Sequence, residues 1–288
     1  MKLSIVTPSF NQGPYIERTL LSVLSQNWSP IEYVIFDGGS TDETVDILTK
    51  YNGKIRWQSA PDKGQADAVN KGIQATGGDI IGWLNSDDIY YPGAFRTVMD
   101  YFAAHPQADV VYGMADHIDP NDIPFEEYPT EPWNFDRLKS ICFICQPALF
   151  FRRRLVAQHG PLDETLHYCM DYEYWLRLGA AGARFAYLPQ KLAGSRLYND
   201  NKTLRARVKV HAEINDMFRR KLKCVPDRWL YNYAHAVVDH RYDRDRHPKW
   251  YALQLGLRSL MAAMYWNAKI SPDMGRTTLS WVSHTFGR

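Results

Sequence analysis

The sequence predicts an α/β fold, an open and mostly parallel sheet flanked by helices, followed by a C-terminal helical extension. Three observations carry that prediction. Over the first two hundred residues, short apolar runs alternate with segments whose apolar residues recur at helical spacing. Polar clusters stand at the ends of the apolar runs, where an open parallel sheet places its ligands. After about residue 200 the alternation stops, and basic and aromatic residues at helical spacing take over. The expected division is therefore a catalytic-type α/β domain over 1–200 and a basic, aromatic-rich helical region over 201–288.

The elements follow in order. Leu3–Thr7 reads as a first strand and Tyr33–Phe36 as a second, with Ile16, Leu20, Val23 and Leu24 marking a helix between them after the turn Asn11-Gln12-Gly13. Ser40-Thr41-Asp42-Glu43 has the S-x-x-E spacing of a capping box and leads into Val45, Ile47 and Leu48. Ile55–Gln58 is a third strand. Gln65–Thr76 is a helix ended by Gly77-Gly78, Ile80–Leu84 a fourth strand, and Pro92–His105 a helix ended by Pro106. Val110–Tyr112 and Gln146–Arg152 read as strands, residues 118–140 as a loop, and Asp171–Leu178 as the start of a helix.

Composition narrows the class. The chain has 288 residues, 45% of them hydrophobic and 14% aromatic, which suits a packed domain and excludes a disordered one. Met1–Pro8 reads as a strand rather than a signal peptide, and no run approaches the roughly 18 apolar residues that span a bilayer. The expected place is the cytoplasm or the cytoplasmic face of a membrane. Cys142 and Cys145 form one C-x-x-C with no second pair for a zinc site, so the four cysteines are expected reduced and mostly buried. Charge is divided: residues 1–200 hold 17 Lys and Arg against 25 Asp and Glu, residues 201–288 hold 17 against 7, giving −8 and +10. Such asymmetry suits an anionic partner for the tail.

Several clusters bear carboxylates. Asp87 and Asp88 follow the apolar run Ile80–Leu84; adjacent carboxylates repel, and a hard cation such as Mg²⁺ or Mn²⁺ relieves them. On an extended strand the two would face opposite sides, one toward metal and one toward sugar or ribose. A helix N-terminal cap before Pro92 is the competing explanation. Asp37 precedes Gly38-Gly39 and suits either the edge of a nucleotide base or an Asx turn. Asp62-Lys63-Gly64 precedes a helix start, where Lys63 and free amides suit phosphate or solvent. Asp171, ringed by Tyr172, Tyr174 and Trp175, suits a general base or a helix cap. Dinucleotide, P-loop, nucleophile-elbow and zinc-protease signatures are absent, and no nucleic acid partner is expected.

In order and spacing the clusters resemble family 2 glycosyltransferases of the GT-A fold. The resemblance rests on Thr7-Pro8-Ser9-Phe10-Asn11, Asp37–Asp42, Asp62–Gly72, Gly82–Asp88, Gln146–Arg153 and Met170–Leu178. It covers about residues 2–200. It implies an inverting transferase, with a nucleotide-sugar donor and Mn²⁺ or Mg²⁺. Thr7, Phe10 and Asp37 would hold the base, with Pro8, Ser9 and Asn11 beside them. Asp62, Lys63, Asp67, Asn70, Asn85, Ser86 and Asp87 would line the donor, Asp88 would ligate the metal, and Asp171 would be the catalytic base. Uridine is the first choice of base, with guanosine and thymidine open; the acceptor would be a glycan or lipid-linked hydroxyl of a cell-surface polysaccharide. The chain departs from the family at Asn85, where the first acid of the D-x-D pattern stands, and at Met170, where a Glu is usual. A third departure is in Arg196–Thr203, where Tyr198 stands for a His. A non-catalytic homologue and a sugar nucleotidyltransferase are the alternatives; the latter lacks its Gly-rich basic loop at Ser9–Gly13.

The tail carries the cluster Arg219–Lys223 and a segment, Trp250–Trp266, that is apolar nearly all round. Two readings stand: a helical subdomain packed on the catalytic body, or an interfacial surface facing anionic headgroups.

Overall fold

In a computed structural model, the structure describes residues 1–198 and 205–286. The chain divides into two compact units: residues 1–138 with 142–198, and residues 139–141 with the chain after 198.

The first unit is the α/β body. Its elements are β1 (Leu3–Ser9), α1 (Gly13–Leu24), β2 (Ile31–Asp37), α2 (Thr44–Lys50), β3 (Arg56–Ser59), α3 (Gln65–Gln74), β4 (Ile80–Trp83), β5 (Ile89–Tyr90) and α4 (Ala94–Ala104). These are followed by β6 (Val110–Ile118), β7 (Pro124–Glu127), α5 (Phe135–Ser140), a 3₁₀ turn (Gln146–Ala148), β8 (Leu149–Arg152), α6 (Arg154–His159), α7 (Met170–Ala180) and β9 (Phe185–Arg196). The sheet runs β3-β2-β1-β4-β8-β6-β9-β5, with β7 on β6. The β3-β2-β1-β4 half is parallel. Beyond β4 the strands alternate in direction except for the long parallel pair β6–β9.

The parallel half forms around strands buried on both faces, β1 and β4. Every residue of β1 and β4 is buried, and each buried aliphatic side chain contributes about 1.5–3 kcal/mol. Leu3, Ile5, Ile16, Leu20, Ile35 and Phe150 share one core with α4. Helix α3 lies close to β1: a Cβ on Gly72 would meet Val6 Cγ1 at 2.2 Å. Parallel pairing brings the ends of β1, β2 and β3 level, with Ser9 beside Asp37 and Asp37 beside Ser59.

Several expectations need correction. Gln146–Arg152 is not one strand, because Pro147 turns its first three residues into a 3₁₀ turn. Residues 118–140 hold β7 and α5 rather than loop alone. The capping box does not form: α2 starts at Thr44, and the Ser40 hydroxyl bonds to Asp37 Oδ1 instead. Strand β9 has no counterpart in the sequence reading.

The second unit is helical: α8 (Arg207–Leu222), α9 (Asp227–Asp239), α10 (Pro248–Asn267) and α11 (Pro272–Phe286). Helix α9 packs on α8 and α10, and α10 on α11, around Ala234, Val238, Tyr251 and Leu255. Among the described residues no helix is long and apolar enough to cross a membrane.

Candidate active site

The acidic pair lies in a turn between β4 and β5, not on a strand, and so does not alternate as an extended pair would. The Asp88 N–H donates to Asn85 O at 3.1 Å and closes the turn. Three distant segments hold its main chain. Thr19 of α1 donates its hydroxyl to Ser86 O (2.9 Å) and Asp88 O (2.7 Å). Arg196 Nε, at the end of β9, donates to Asp87 O at 2.7 Å. Gln146 Nε2 donates to Trp83 O at 2.6 Å.

The two carboxylates are unlike. Asp88 is buried; its Oδ1 accepts the Arg196 backbone N–H at 2.8 Å, and its Oδ2 accepts the Asn85 amide at 3.4 Å. Burial, and then the charge of Asp87, push its carboxyl well above the usual range. Asp87 is half-buried, and its Oδ2 accepts the Tyr198 hydroxyl at 2.9 Å. Burial raises its carboxyl too, against the hydrogen bond from Tyr198. The Tyr198 ring is held against Tyr15 at 5.0 Å. The Arg196 guanidinium lies 4.8 Å from the Tyr15 centroid, donates to Asp119 O at 2.7 Å, and pairs with Asp122.

Around this turn stand the other sequence-predicted residues, in varied roles. Asn85 Oδ1 takes the Gln65 amide (2.8 Å) and the Trp83 indole N–H (2.9 Å), and Ser86 is buried. Asp37 is buried and accepts from Gly39 N–H, Ser40 N–H and the Ser40 and Ser59 hydroxyls at 2.5–3.1 Å. It shapes the β2 turn before it meets any ligand. Gly38 keeps that turn close to Asp62: a Cβ there would stand 3.0 Å from Asp62 Oδ2. Asp62 is half-buried and its carboxyl is raised by burial, against a hydrogen bond from Gly64 N–H. Ser9 is buried with no partner for its hydroxyl, while Phe10 and Asn11 are exposed at the mouth of β1.

Five further expected donor residues have neighbours of their own within the protein. Thr7 is fully buried, with its hydroxyl on Tyr33 Oη at 3.2 Å, and Pro8 beside it is buried in β1. Asn70 clasps the backbone of Leu162, N–H and C=O, at 3.0 Å each. Asp67 takes the Lys63 N–H (2.9 Å) and Lys71 Nζ (2.8 Å), which hold its carboxyl low. The exposed Lys63 ammonium lies 3.9 Å from Glu164.

Asp171 opens α7, half-buried, with its Oδ1 accepting the Tyr172 N–H at 2.7 Å. Cys145 relates it to the acidic turn. Burial pushes that thiol far up, and the charges of Asp88, Cys142 and Asp171 add to the shift. Cys145, Gln146, Tyr15 and the placement of Arg196 were not foreseen as parts of the site. Only the sequence neighbourhood of Arg196 and Tyr198 signalled them, and Asn199–Thr203 of that stretch lies outside the described residues.

The residues suit a divalent cation in one specific way. Among the described residues no three His, Cys, Asp or Glu side chains form a ligand cluster. A hard cation taking one or two carboxylates and completing its shell with phosphate oxygens and water needs no such cluster. Two raised carboxyls in contact are the charge such an ion relieves.

A sequence model described as glycosyl transferase family 2 matches residues 4–160. An uncharacterized glycosyltransferase from Nostoc sp. is 30% identical over 181 residues, covering 57% of this chain and 54% of its own. Chondroitin synthase from Escherichia coli is 28% identical over 207 residues, covering 70% of this chain and 30% of its own. The chain spans from about a fifth to somewhat over half the length of the curated relatives it matches. Among solved structures, S. aureus TarS residues 1–349 with UDP-GlcNAc aligns at a TM-score of 0.66 and 15% identity, covering 100% of this chain and 93% of its own. The mannosyltransferase PcManGT from Pyrobaculum calidifontis, with GDP-Man and Mn²⁺, aligns at 0.59 and 14% identity, covering 99% and 84%. These two likenesses show the GT-A fold.

Proposed function

The chain belongs to glycosyl transferase family 2, and from that premise we propose that it moves a sugar from a nucleoside-diphosphate donor to an acceptor hydroxyl with inversion. The carrying observation is the turn Asn85–Asp88 at the end of β4, whose carbonyl oxygens are held by Thr19 of α1 and Arg196 of β9. Nucleotide sugars in the two solved structures of this fold support the donor class, and uridine diphosphate is the first choice. The acceptor class is a glycan or lipid-linked hydroxyl of a cell-surface polysaccharide.

Burial supports a division of the pair opposite to the one read from sequence. Asp88, with both oxygens engaged inside the protein, is the strut. Asp87, half-buried and bonded through Oδ2 to Tyr198, is the residue that would hold a divalent cation. Mn²⁺ or Mg²⁺ would supply charge neutralisation for the departing diphosphate. Ser9 and Phe10 meet the nucleotide at the mouth of β1, and the orphan Ser9 hydroxyl is the polar group a ligand would satisfy. The Asp171 carboxylate takes the proton of the acceptor hydroxyl as its oxygen bonds to the anomeric carbon; the bond to the diphosphate oxygen breaks with its electrons. Most of the rate comes from positioning and fixed charge.

The test is thermal stability with UDP, GDP and dTDP, each with and without Mn²⁺, because a ligand of the native state raises the melting temperature by mass action. One diphosphate is expected to stabilise strongly only with the metal. No shift in any combination would remove the donor reading. Release of nucleoside diphosphate during transfer separates this reading from a nucleotidyltransferase, which releases pyrophosphate, and from a homologue without turnover.

A further inference from the structure

Helix α10 has two apolar faces and uses only one of them. Tyr251, Leu255, Ala262 and Trp266 are buried within the helical unit. On another side Trp250, Leu253, Leu257, Met261 and Met264 are 37–52% exposed, and Tyr265 is 67% exposed. Steps of three and four residues put the first five on one stripe. At about 1.5 Å per residue that stripe runs roughly 20 Å. A helix that is apolar around its circumference belongs in a core or against an apolar phase, and a contiguous exposed apolar strip marks a contact surface.

Charge selects the occupant. Exposed cations lie at both ends: Arg246 and Lys249 before Trp250, and Lys269 after Tyr265, with Arg258 between them. The Arg219 guanidinium of α8 lies 5.9 Å from the Tyr265 centroid, at the head of the cluster Arg219-Arg220-Lys221. Asp239, Asp243 and Asp245 are the exposed acids near the N-terminal end; Asp239 pairs with Arg207 and Asp243 with Arg246. Over residues 201–288 the balance is 17 cations to 7 anions. A second copy meeting this face would set two such surfaces together, whereas a negative apolar phase matches both its character and its charge. We propose that the exposed face of α10 docks on an anionic lipid surface, with Trp250 and Tyr265 at the headgroup level and Leu253, Leu257 and Met261 below it. This inference is independent of the donor chemistry.

Flotation of the full chain with vesicles tests it. The chain is expected to float with vesicles of phosphatidylcholine and phosphatidylglycerol in equal parts, to remain behind with phosphatidylcholine alone, and to be released by salt. Leu257→Glu combined with Met261→Glu changes exposed positions only. It should reduce the floated fraction at least tenfold at an unchanged melting temperature and circular dichroism spectrum. If that variant unfolds, Arg219→Gln with Lys269→Gln gives the same reading, with binding reduced at unchanged stability. Failure of the wild type to float with anionic vesicles overturns the proposal. So does equal flotation of a folded Glu variant. A wild-type dimer in light scattering that the Glu variant reduces to monomer assigns the face to a second copy and overturns it as well. Donor stabilisation by nucleotide and metal would persist in each case.

Discussion

Replacing Asp88 separates the cost of its charge from the value of its hydrogen bonds. In Asp88→Ala the Arg196 N–H and the Asn85 amide lose their acceptor inside the protein. A buried unsatisfied group costs about 1–3 kcal/mol, so Asp88→Ala should lose about 2 kcal/mol. Asp88→Asn keeps a carbonyl oxygen for the Arg196 N–H and removes the buried charge. The native carboxyl is raised by burial and by Asp87, so the native state holds its proton at pH values where the unfolded chain has lost it. Stability is then full below the unfolded value near 3.9 and falls as pH rises toward the native value. Each unit of that shift is about 1.4 kcal/mol. Asp88→Asn should therefore gain stability relative to the wild type as pH rises from acid to pH 8, in urea titrations read by the linear relation. Mn²⁺ with nucleoside diphosphate should narrow that gap, because the cation favours the ionised pair. An Asn variant as unstable as the Ala variant at pH 8, or a difference between the Asn variant and the wild type that does not grow between acid and pH 8, would refute the reasoning.

Asp171→Asn should lower turnover by about 10²–10⁴-fold while nucleotide-induced thermal stabilisation stays intact. Tyr198→Phe keeps the ring contact with Tyr15 and removes one hydrogen bond to the half-buried Asp87. Calorimetry should show metal-dependent nucleotide binding weakened by about tenfold, the scale of one such bond to a charged group. Gly72→Ala forces a Cβ against Val6, so it should destabilise by about 1–3 kcal/mol in the same urea titration.

What the sequence made legible follows from where its signals are local. Strands β1, β2 and β4 show as apolar runs because they are buried on both faces. The clusters at their ends show because the chain must turn there. Strand β9 stayed hidden because it reads Phe-Ala-Tyr-Leu-Pro-Gln-Lys-Leu-Ala-Gly-Ser-Arg, with a proline and polar residues inside. The structure explains the proline: register with β6 shifts between Leu188 and Lys191, so Pro189 sits in a bulge where no ladder donor is needed. The site was legible in outline only. Asp37, Asp62, Asp87, Asp88 and Asp171 announced themselves as carboxylates at turns. The inward direction of Asn70 and the differing burial of Asp87 and Asp88 depend on contacts 92 and 108 residues away. Such contacts leave no pattern in the neighbouring sequence.

The acidic turn is gripped at its carbonyl oxygens by Thr19 and Arg196, while Gln146 holds the end of β4 that leads into it. Its geometry is therefore not a property of the tetrapeptide Asn-Ser-Asp-Asp. Transplanted alone into another scaffold, those four residues would lose their shape. The side chains of Asn85 and Asp88 belong to that frame as well, since they take bonds from Gln65, Trp83 and Arg196. The shape of the turn is thus written across the chain, and a substitution far from it in sequence can re-aim it.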